Sequence, residues 1–432
     1  MEKWFDFKGR GTNASTEVIA GITTFITMVY IAIVNPAILS KTGMDFNGVF
    51  VATILATMIG TLIMGVFSNY PIAIAPGMGL NSFFAFAVVL ALGITWQKAL
   101  GAVFIASLIF LVLSFTKFRN VLINSIPESL KHSITAGIGL FIAFIGLQGS
   151  KIIVDSPATL VTFGHASDPL VLLTIFNLFV TVVLMMFNVR GNIFIGMVIT
   201  AIIALFNGMI TLPPSLFVWP TGLEHTAMQM DIKGVFDNNL YAIIFTFFLI
   251  TLFDTTGTMI GIAEQAGLIK DGKFPRIKSA LLADAVGSTV GAMLGTSPTS
   301  AYIESGAGVA VGGRTGFSSV VVALLFGLLL FCAPLAQMLA SIPAITAPAL
   351  IIVGFLMMSS LRNIDWNDFE ESFPAFLIVF LMPLSYSIAI GIGIGFIIYP
   401  LLKIIRGKAA EVHPLMYLFQ ILFFIQIGFL GH

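Results

Sequence analysis

Charge is scarce in this chain: only 9% of its 432 residues are Asp, Glu, Lys or Arg, and the 20 basic and 20 acidic side chains cancel. Soluble domains carry about 25% charge, so an ordinary soluble enzyme is excluded, as is a disordered chain, which needs low hydrophobicity. Nucleic acid, which demands a basic surplus, is excluded as a partner. Cysteine is nearly missing. The single Cys332, in an apolar run, can form no intrachain disulfide and belongs to no metal-ligand cluster. His132, His165, His225, His413 and His432 do not pair at ligand spacing. No serine nucleophile stands with a base and an orienting acid, and Gly77-x-Gly79 and Gly306-x-Gly308 lack the βαβ setting of a dinucleotide site. No enzyme and no cofactor or metal are expected. What abounds is apolar side chain, 58% of the total. The function is therefore one that a polytopic membrane protein performs, with the lipid bilayer as its first partner.

The first long apolar run, about 18–39, suffices to cross a ~30 Å hydrocarbon core at 1.5 Å per residue. It is too long for a signal-peptide core and lacks a small-residue cleavage pattern after it, so an uncleaved helix is expected. Further runs follow near 49–67, 72–92, 97–116, 134–150, 170–187 and 193–210, then near 240–262, 277–295, 300–313, 317–333, 345–360, 374–388 and 389–405. These are fourteen membrane elements, several too short to span alone. With a cytoplasmic N-terminus, only Lys41, Lys98, Lys151 and Lys233 fall outside, leaving sixteen of the 20 basic residues inside (20 − 4 = 16). That split obeys the positive-inside rule; the expected location is the plasma (inner) membrane. The stretch 211–239, with Pro213, Pro214, Trp219 and Pro220, reads as an extracytoplasmic connection in which Trp219 anchors at the interface. The apolar tail 413–430 is expected to lie in the interface.

Two elements are interrupted. Element three begins Asn69-Tyr-Pro-Ile-Ala-Ile-Ala-Pro-Gly-Met-Gly-Leu-Asn81, and element ten begins Thr296-Ser-Pro-Thr-Ser-Ala-Tyr-Ile-Glu-Ser-Gly-Ala-Gly308. A shift of about 227 sets Pro71 on Pro298 and Gly79 on Gly306, and a shift of about 219 sets Asn35 on Asp254. Seven elements per half is an odd number, so the second half inserts upside down relative to the first. The expected fold is an all-α polytopic membrane protein with fourteen elements in a 7+7 inverted repeat, elements three and ten each broken into a strand and a half-helix. Non-helical backbone at membrane depth survives only where it is buried or lines a cavity. Paired interruptions at matching places in two halves point to a transporter's central site.

Most acids lie in loops; Asp254, Asp284 and Glu304 do not. A carboxyl inside a membrane helix costs at least ~2.5 kcal/mol on insertion scales and marks a functional site. One that gains and loses a proton as a solute binds is a natural coupling device. Glu304 stands at the junction of the extended stretch and half-helix of element ten, beside Tyr302 and Ile303, where side chain and local N–H groups can bind a solute edge together. Asp254 lies among Thr255, Thr256, Gly257 and Thr258. Asp284 is isolated and reads as a tie between element nine and a broken helix. From the first half, Asn35 and Asn81 supply neutral amides, while Phe83 or Phe84 offers a ring face to a planar solute. Gly391-Ile-Gly-Ile-Gly395 reads as a surface for close helix packing.

Four stretches together carry a family likeness: Ile33-Val-Asn-Pro36, Pro76-Gly-Met-Gly-Leu-Asn81, Phe253-Asp-Thr-Thr-Gly-Thr258 and Thr299-Ser-Ala-Tyr-Ile-Glu-Ser-Gly-Ala-Gly308. From Gly11 almost to its end, the chain resembles the AzgA-like purine permeases of the nucleobase–cation symporter-2 group. The resemblance implies a core domain (11–133 and 240–333, elements 1–4 and 8–11) and a gate domain (134–210 and 345–405, elements 5–7 and 12–14). It implies proton-coupled uptake of guanine, hypoxanthine or adenine. It also implies that Asp254 and Glu304 match the acids that contact the base, that the Tyr302–Ile303 backbone matches the strand that binds it, and that Asp284 matches the acid of element nine. Proton coupling then belongs to Asp254, Glu304 and Asp284, and base contact to Glu304, Asp254, Tyr302, Ile303, Asn81 and Phe83. Relatives that handle uracil or xanthine carry Glu where Asp254 stands, and the shorter side chain leaves room for a bicyclic base. The group often forms dimers through the gate domain, so a homodimer is expected. The rival readings are an anion or other small-solute transporter of the same fold, whose site should favour positive charge, and a membrane enzyme or channel.

Overall fold

The computed structural model describes residues 2–116, 118–238, 240–269 and 274–429. Lys117, Asn239, Lys270, Lys273, Leu430 and His432, which entered the loop and tail readings above, lie outside the described residues. In the first half run α1 (Ala14–Met28) and α2 (Ile31–Leu39), two parts of one span, then α3 (Phe46–Ile63) and strand β1 (Ile74–Pro76). β1 leads into α4 (Met78–Ser82), which continues with wider turns through Phe83–Ala91. There follow α5 (Trp96–Ser114), α6 (Glu128–Gly149), a hairpin of β2 (Ile153–Ser156) and β3 (Leu160–Phe163), α7 (Pro169–Met186) and α8 (Asn192–Phe206). The second half comprises α9 (Tyr241–Gln265), α10 (Ile277–Leu294), β4 (Thr299–Ala301) with half-helix α11 (Ser305–Ala310), α12 (Gly316–Leu329) with α13 (Ala333–Ala340), α14 (Pro343–Met358), α15 (Phe369–Leu384) and α16 (Ile388–Ile405). A last helix, α17, covers Pro414–Phe429.

Ten helical segments among the described residues are long and apolar enough to cross a membrane. The two broken elements, α8 and α15 complete the fourteen, and the chain is a multi-pass membrane protein folded as an inverted repeat. β1 and β4 meet antiparallel, Ala75 opposite Ser300. The ladder is extended at both ends by Gly77 N–H to Pro298 O and Tyr302 N–H to Ala73 O, each 3.0 Å. In this way the extended backbone of each half satisfies that of the other, as membrane depth requires.

The hydrogen bonds that clamp each strand to its preceding helix revise the repeat alignment. They make Ile74 correspond to Thr299, a shift of 225 (299 − 74), so Pro298 answers Ala73 rather than Pro71. The cause is a linker of unequal length. Thr61 Oγ1 both accepts from Ile74 N–H and donates to Ile74 O, at 2.9 Å each, across 13 positions. Ser288 clamps Thr299 in the same reciprocal way, at 2.9 and 3.2 Å, across 11. Beside these clamps α3 and α10 cross at paired glycines: a Cβ on Gly60 would stand 3.5 Å from the Gly287 Cα, and one on Gly287 would stand 3.4 Å from the Gly60 Cα.

α3, α5, α10 and α12 pack among themselves, while α6 packs chiefly on α14 and α15, and α7 on α8 and α14. Several loop acids are N-caps: Asp45, Asp168 and Asp368 accept from the N–H of Gly48, Leu170 and Glu370 at 2.7–2.9 Å. α6 and α15 start five or six residues before their apolar runs because their first turns carry polar groups engaged by protein. Glu370, 2% exposed, binds Lys403, Arg406 and Lys408, while Glu371 binds Lys403 and accepts from Ser129 and Tyr399. On the same face the segment before α1 is docked. Phe5 and Phe7 pack on Phe317, and the Arg10 guanidinium donates to Asn69 O and Arg314 O. Trp219 is 79% exposed and edge-on to Phe331.

The tail is a helix packed on the preceding one. α17 runs antiparallel along α16: Gln420 Nε2 donates to Ile397 O, and the bare face of Gly393 receives Phe423 and Ile427. Phe419 and Phe423 also pack, with tilted rings, on Phe245 and Phe396. The glycine run 391–395 is indeed a close-packing surface, with Gly391 and Gly395 fitted against α15.

Candidate functional site

A chamber of about 420 Å³ lies beside the crossed strands, within the size range of small-molecule sites. Met78, Gly79, Asp254, Ser300, Ala301, Tyr302 and Glu304 line its inner end. His132, Thr135, Gln265, Ser360 and Asn363 line its outer end. These outer residues lie at the start of element five and the ends of elements eight and twelve, all on the face of the N-terminal segment. The chamber therefore opens on that face.

Glu304 sits where the sequence analysis put it, between β4 and α11. One carboxyl oxygen accepts from the Tyr30 hydroxyl at 2.5 Å, and the Thr27 hydroxyl reaches the Glu304 carbonyl at 3.4 Å. α11 is drawn close to α1 because Gly308 has no side chain: a Cβ there would fall 2.2 Å from Thr24 Oγ1 and 2.7 Å from Ala20 O. Asp254 is half-buried on α9 and lines the same chamber, beside Ser300. Ile303 is 65% exposed, its side chain on the open volume. Tyr302 is buried and donates its hydroxyl to Pro76 O at 2.6 Å, fastening β4 to the end of β1. The N–H groups of Ile303 and Glu304 donate to no backbone carbonyl among the described residues.

Three expected site residues do not line the chamber. Asp284 is fully buried and accepts from Thr255 Oγ1 at 2.6 Å and Thr299 Oγ1 at 2.9 Å, so both carboxyl oxygens are engaged in tying α9 and α10 to β4. Asn81 is also fully buried: its amide donates to Asn35 Oδ1, and Asn35 Nδ2 donates to Thr53 and Thr296. The pseudo-symmetric counterpart of Asp254 is thus sealed in a packed polar cluster. Phe83 is 2% exposed and edge-on to Phe247, 4.9 Å between centroids; Phe84 is likewise buried. The aromatic wall is Phe253 instead. Missed from sequence were Tyr30, Ser300 and the outer polar groups His132, Ser360 and Asn363. Only Tyr30 left a trace, as one of seven tyrosines, six positions before the Pro36 that disturbs its helix.

Chemically, the chamber offers two carboxyls, hydroxyls and an apolar wall. That set recognises a small flat solute with alternating donors and acceptors. No group of three His, Cys, Asp or Glu suited to a metal exists among the described residues.

Known proteins agree. The guanine/hypoxanthine permease PbuO of Bacillus subtilis is 52% identical over 428 residues, covering 98% of this chain and 99% of that protein. The adenine permease AdeP of Escherichia coli is 44% identical, covering 100% and 96%. Among solved structures, the transmembrane domain of the cyanobacterial bicarbonate transporter BicA superposes with a TM-score of 0.66 at 14% identity, covering 87% of this chain and 97% of that one. SLC26A9 superposes at 0.65 with 11% identity, covering 91% and 65%. At such identities the likeness is one of fold alone. Residues 15–400 match the family model Xan_ur_permease, described as a permease family. The resemblance read from the four motifs is borne out, and the chain belongs to this permease family, a transporter and not an enzyme.

Proposed function

We propose that the chain imports purine nucleobases (guanine, hypoxanthine or adenine) together with protons, by alternating access. The observation that carries this reading is the pair Glu304 and Asp254 in one chamber beside the crossed strands. The names of the full-length relatives supply the solute class. Glu304 accepts from ring N–H groups. Asp254 makes a second polar contact and carries the coupled proton. The backbone at Tyr302–Ile303 and Ser300 complete the edge. Asn81, Phe83 and Asp284 support these groups from behind. A carboxylate-lined chamber is a poor host for an anion, whatever the fold shares with anion transporters.

The core (11–133, 240–333) and gate (134–210, 345–405) division fits the packing, because the chamber is walled by elements 1, 3, 8 and 10 on one side and by 5 and 12 on the other. With a cytoplasmic N-terminus, favoured by the loop charges, the chamber opens inward.

Uptake of radiolabelled guanine and hypoxanthine into vesicles, with sulfate as control, tests the reading. Glu304→Gln and Asp254→Asn should each lose most accumulation, and a protonophore should abolish it in the wild type. Wild-type accumulation by both variants would end the proposal, and indifference to the protonophore would end proton coupling.

A further inference from the structure

The first span is not one helix. Pro36 lacks the N–H that would bond Ala32 O, and its ring crowds that carbonyl. The chain tightens just before it, with Ala32 N–H to Val29 O at 3.1 Å and Ile33 N–H to Tyr30 O at 3.0 Å. α1 ends at Met28 and α2 begins at Ile31, leaving Tyr30 at the break. From there its hydroxyl reaches across the repeat to Glu304 Oε1 at 2.5 Å. The tyrosine borders the chamber but has no exposed surface, so its hydroxyl, spent on Oε1, acts on a solute through the carboxyl.

A Glu side chain at a chamber wall has rotamers to choose among, and each solute contact must bear the cost of fixing one. The phenol removes that choice. Its ring is locked in the core, so its donor is fixed in space, and a hydroxyl bonded to a carboxylate is among the stronger hydrogen bonds. With Oε1 held back by Tyr30, Oε2 is the oxygen left to meet a donor. The Thr27 hydroxyl on the Glu304 carbonyl steadies the backbone from the same helix.

We propose that Tyr30 is the positioning residue for solute binding: it holds Glu304 in one orientation, with Oε1 engaged and Oε2 presented to the chamber. This rests on the reading of Glu304 as the solute-binding carboxyl. Tyr30→Phe keeps the ring that fills the break and removes only the donor.

The test is hypoxanthine uptake kinetics for wild type, Tyr30→Phe, Tyr30→Met and Glu304→Gln, with transporter content measured in the same membranes. The expected result for Tyr30→Phe is a KM raised roughly ten-fold, the scale of one hydrogen bond to a charged group, with maximal rate per transporter within about two-fold. Tyr30→Met, which refills the space flexibly, should give the same split and decides the matter if the Phe variant does not reach the membrane. A KM unchanged within about two-fold, or a fall in maximal rate alone, overturns the proposal. If Glu304→Gln keeps the wild-type KM, the reading of Glu304 itself has failed. If Glu304→Gln is impaired while both Tyr30 variants keep the wild-type KM, only the role of Tyr30 falls.

Discussion

Three intramembrane carboxyls serve unlike ends, and their hydrogen bonds separate them. Glu304 has one oxygen bound by Tyr30 and borders the chamber, and Asp254 borders it too. Asp284 spends both oxygens on Thr255 and Thr299. Sequence alone already favoured a tying role for Asp284, and its engagement argues against a part in the proposed proton coupling. Asp284→Ala should therefore act on stability. Thr299 keeps the Asp284 carbonyl and Ser288 as partners, but the buried Thr255 hydroxyl left without one costs about 1–3 kcal/mol, so the melting temperature in detergent should drop, while the hypoxanthine KM of the protein that remains folded should stay near wild type. A raised KM without loss of melting temperature would return Asp284 to the binding machinery. The corrected repeat alignment adds a second lesson at this scale. Glu304 takes the place of Gly79 in the other half (304 − 225 = 79), and both face the chamber. A two-fold scaffold thus acquires a one-sided acid.

Among the elements, the broken pair was legible from proline and glycine, but its register was not. Nothing in the sequence says that 13 positions separate clamp from strand in one half and 11 in the other. A hydroxyl clamp within each half decides it. Close packing of the half-helix is equally a matter of three dimensions: nothing in the sequence singles out Gly308, yet it is where α11 rests on α1. Gly308→Ala should push the half-helix and Glu304 away from α1, since the added Cβ would meet the Ala20 carbonyl, a backbone atom that cannot swing aside. Loss of most uptake at normal membrane content is the expected outcome; unchanged kinetics would show that α11 has slack. The packing of the terminal helix was not legible either: its apolar length does not say that Phe423 and Ile427 sit on the bare face of Gly393.

For the molecule as a whole, the chamber's opening gives a prediction about access. In a Cys332→Ser background, Ser360→Cys should react with an impermeant maleimide from the face that bears the N-terminus, and guanine should slow the reaction. Labelling from the opposite face alone would reverse the orientation proposed here. What the sequence determined by itself was the solvent of the fold, the number of crossings, the inversion of the halves and which acids lie at membrane depth. Composition, odd element count and the cost of charge in hydrocarbon are local or additive properties, and they survive without coordinates. Only the tertiary structure decided which acid faces the chamber, that Tyr30 holds Glu304, that Asn81 and Phe83 stand behind the wall, and which face is open. Those depend on distances between residues as far apart as Tyr30 and Glu304, 274 positions along the chain, and no pattern read along one strand of sequence encodes them.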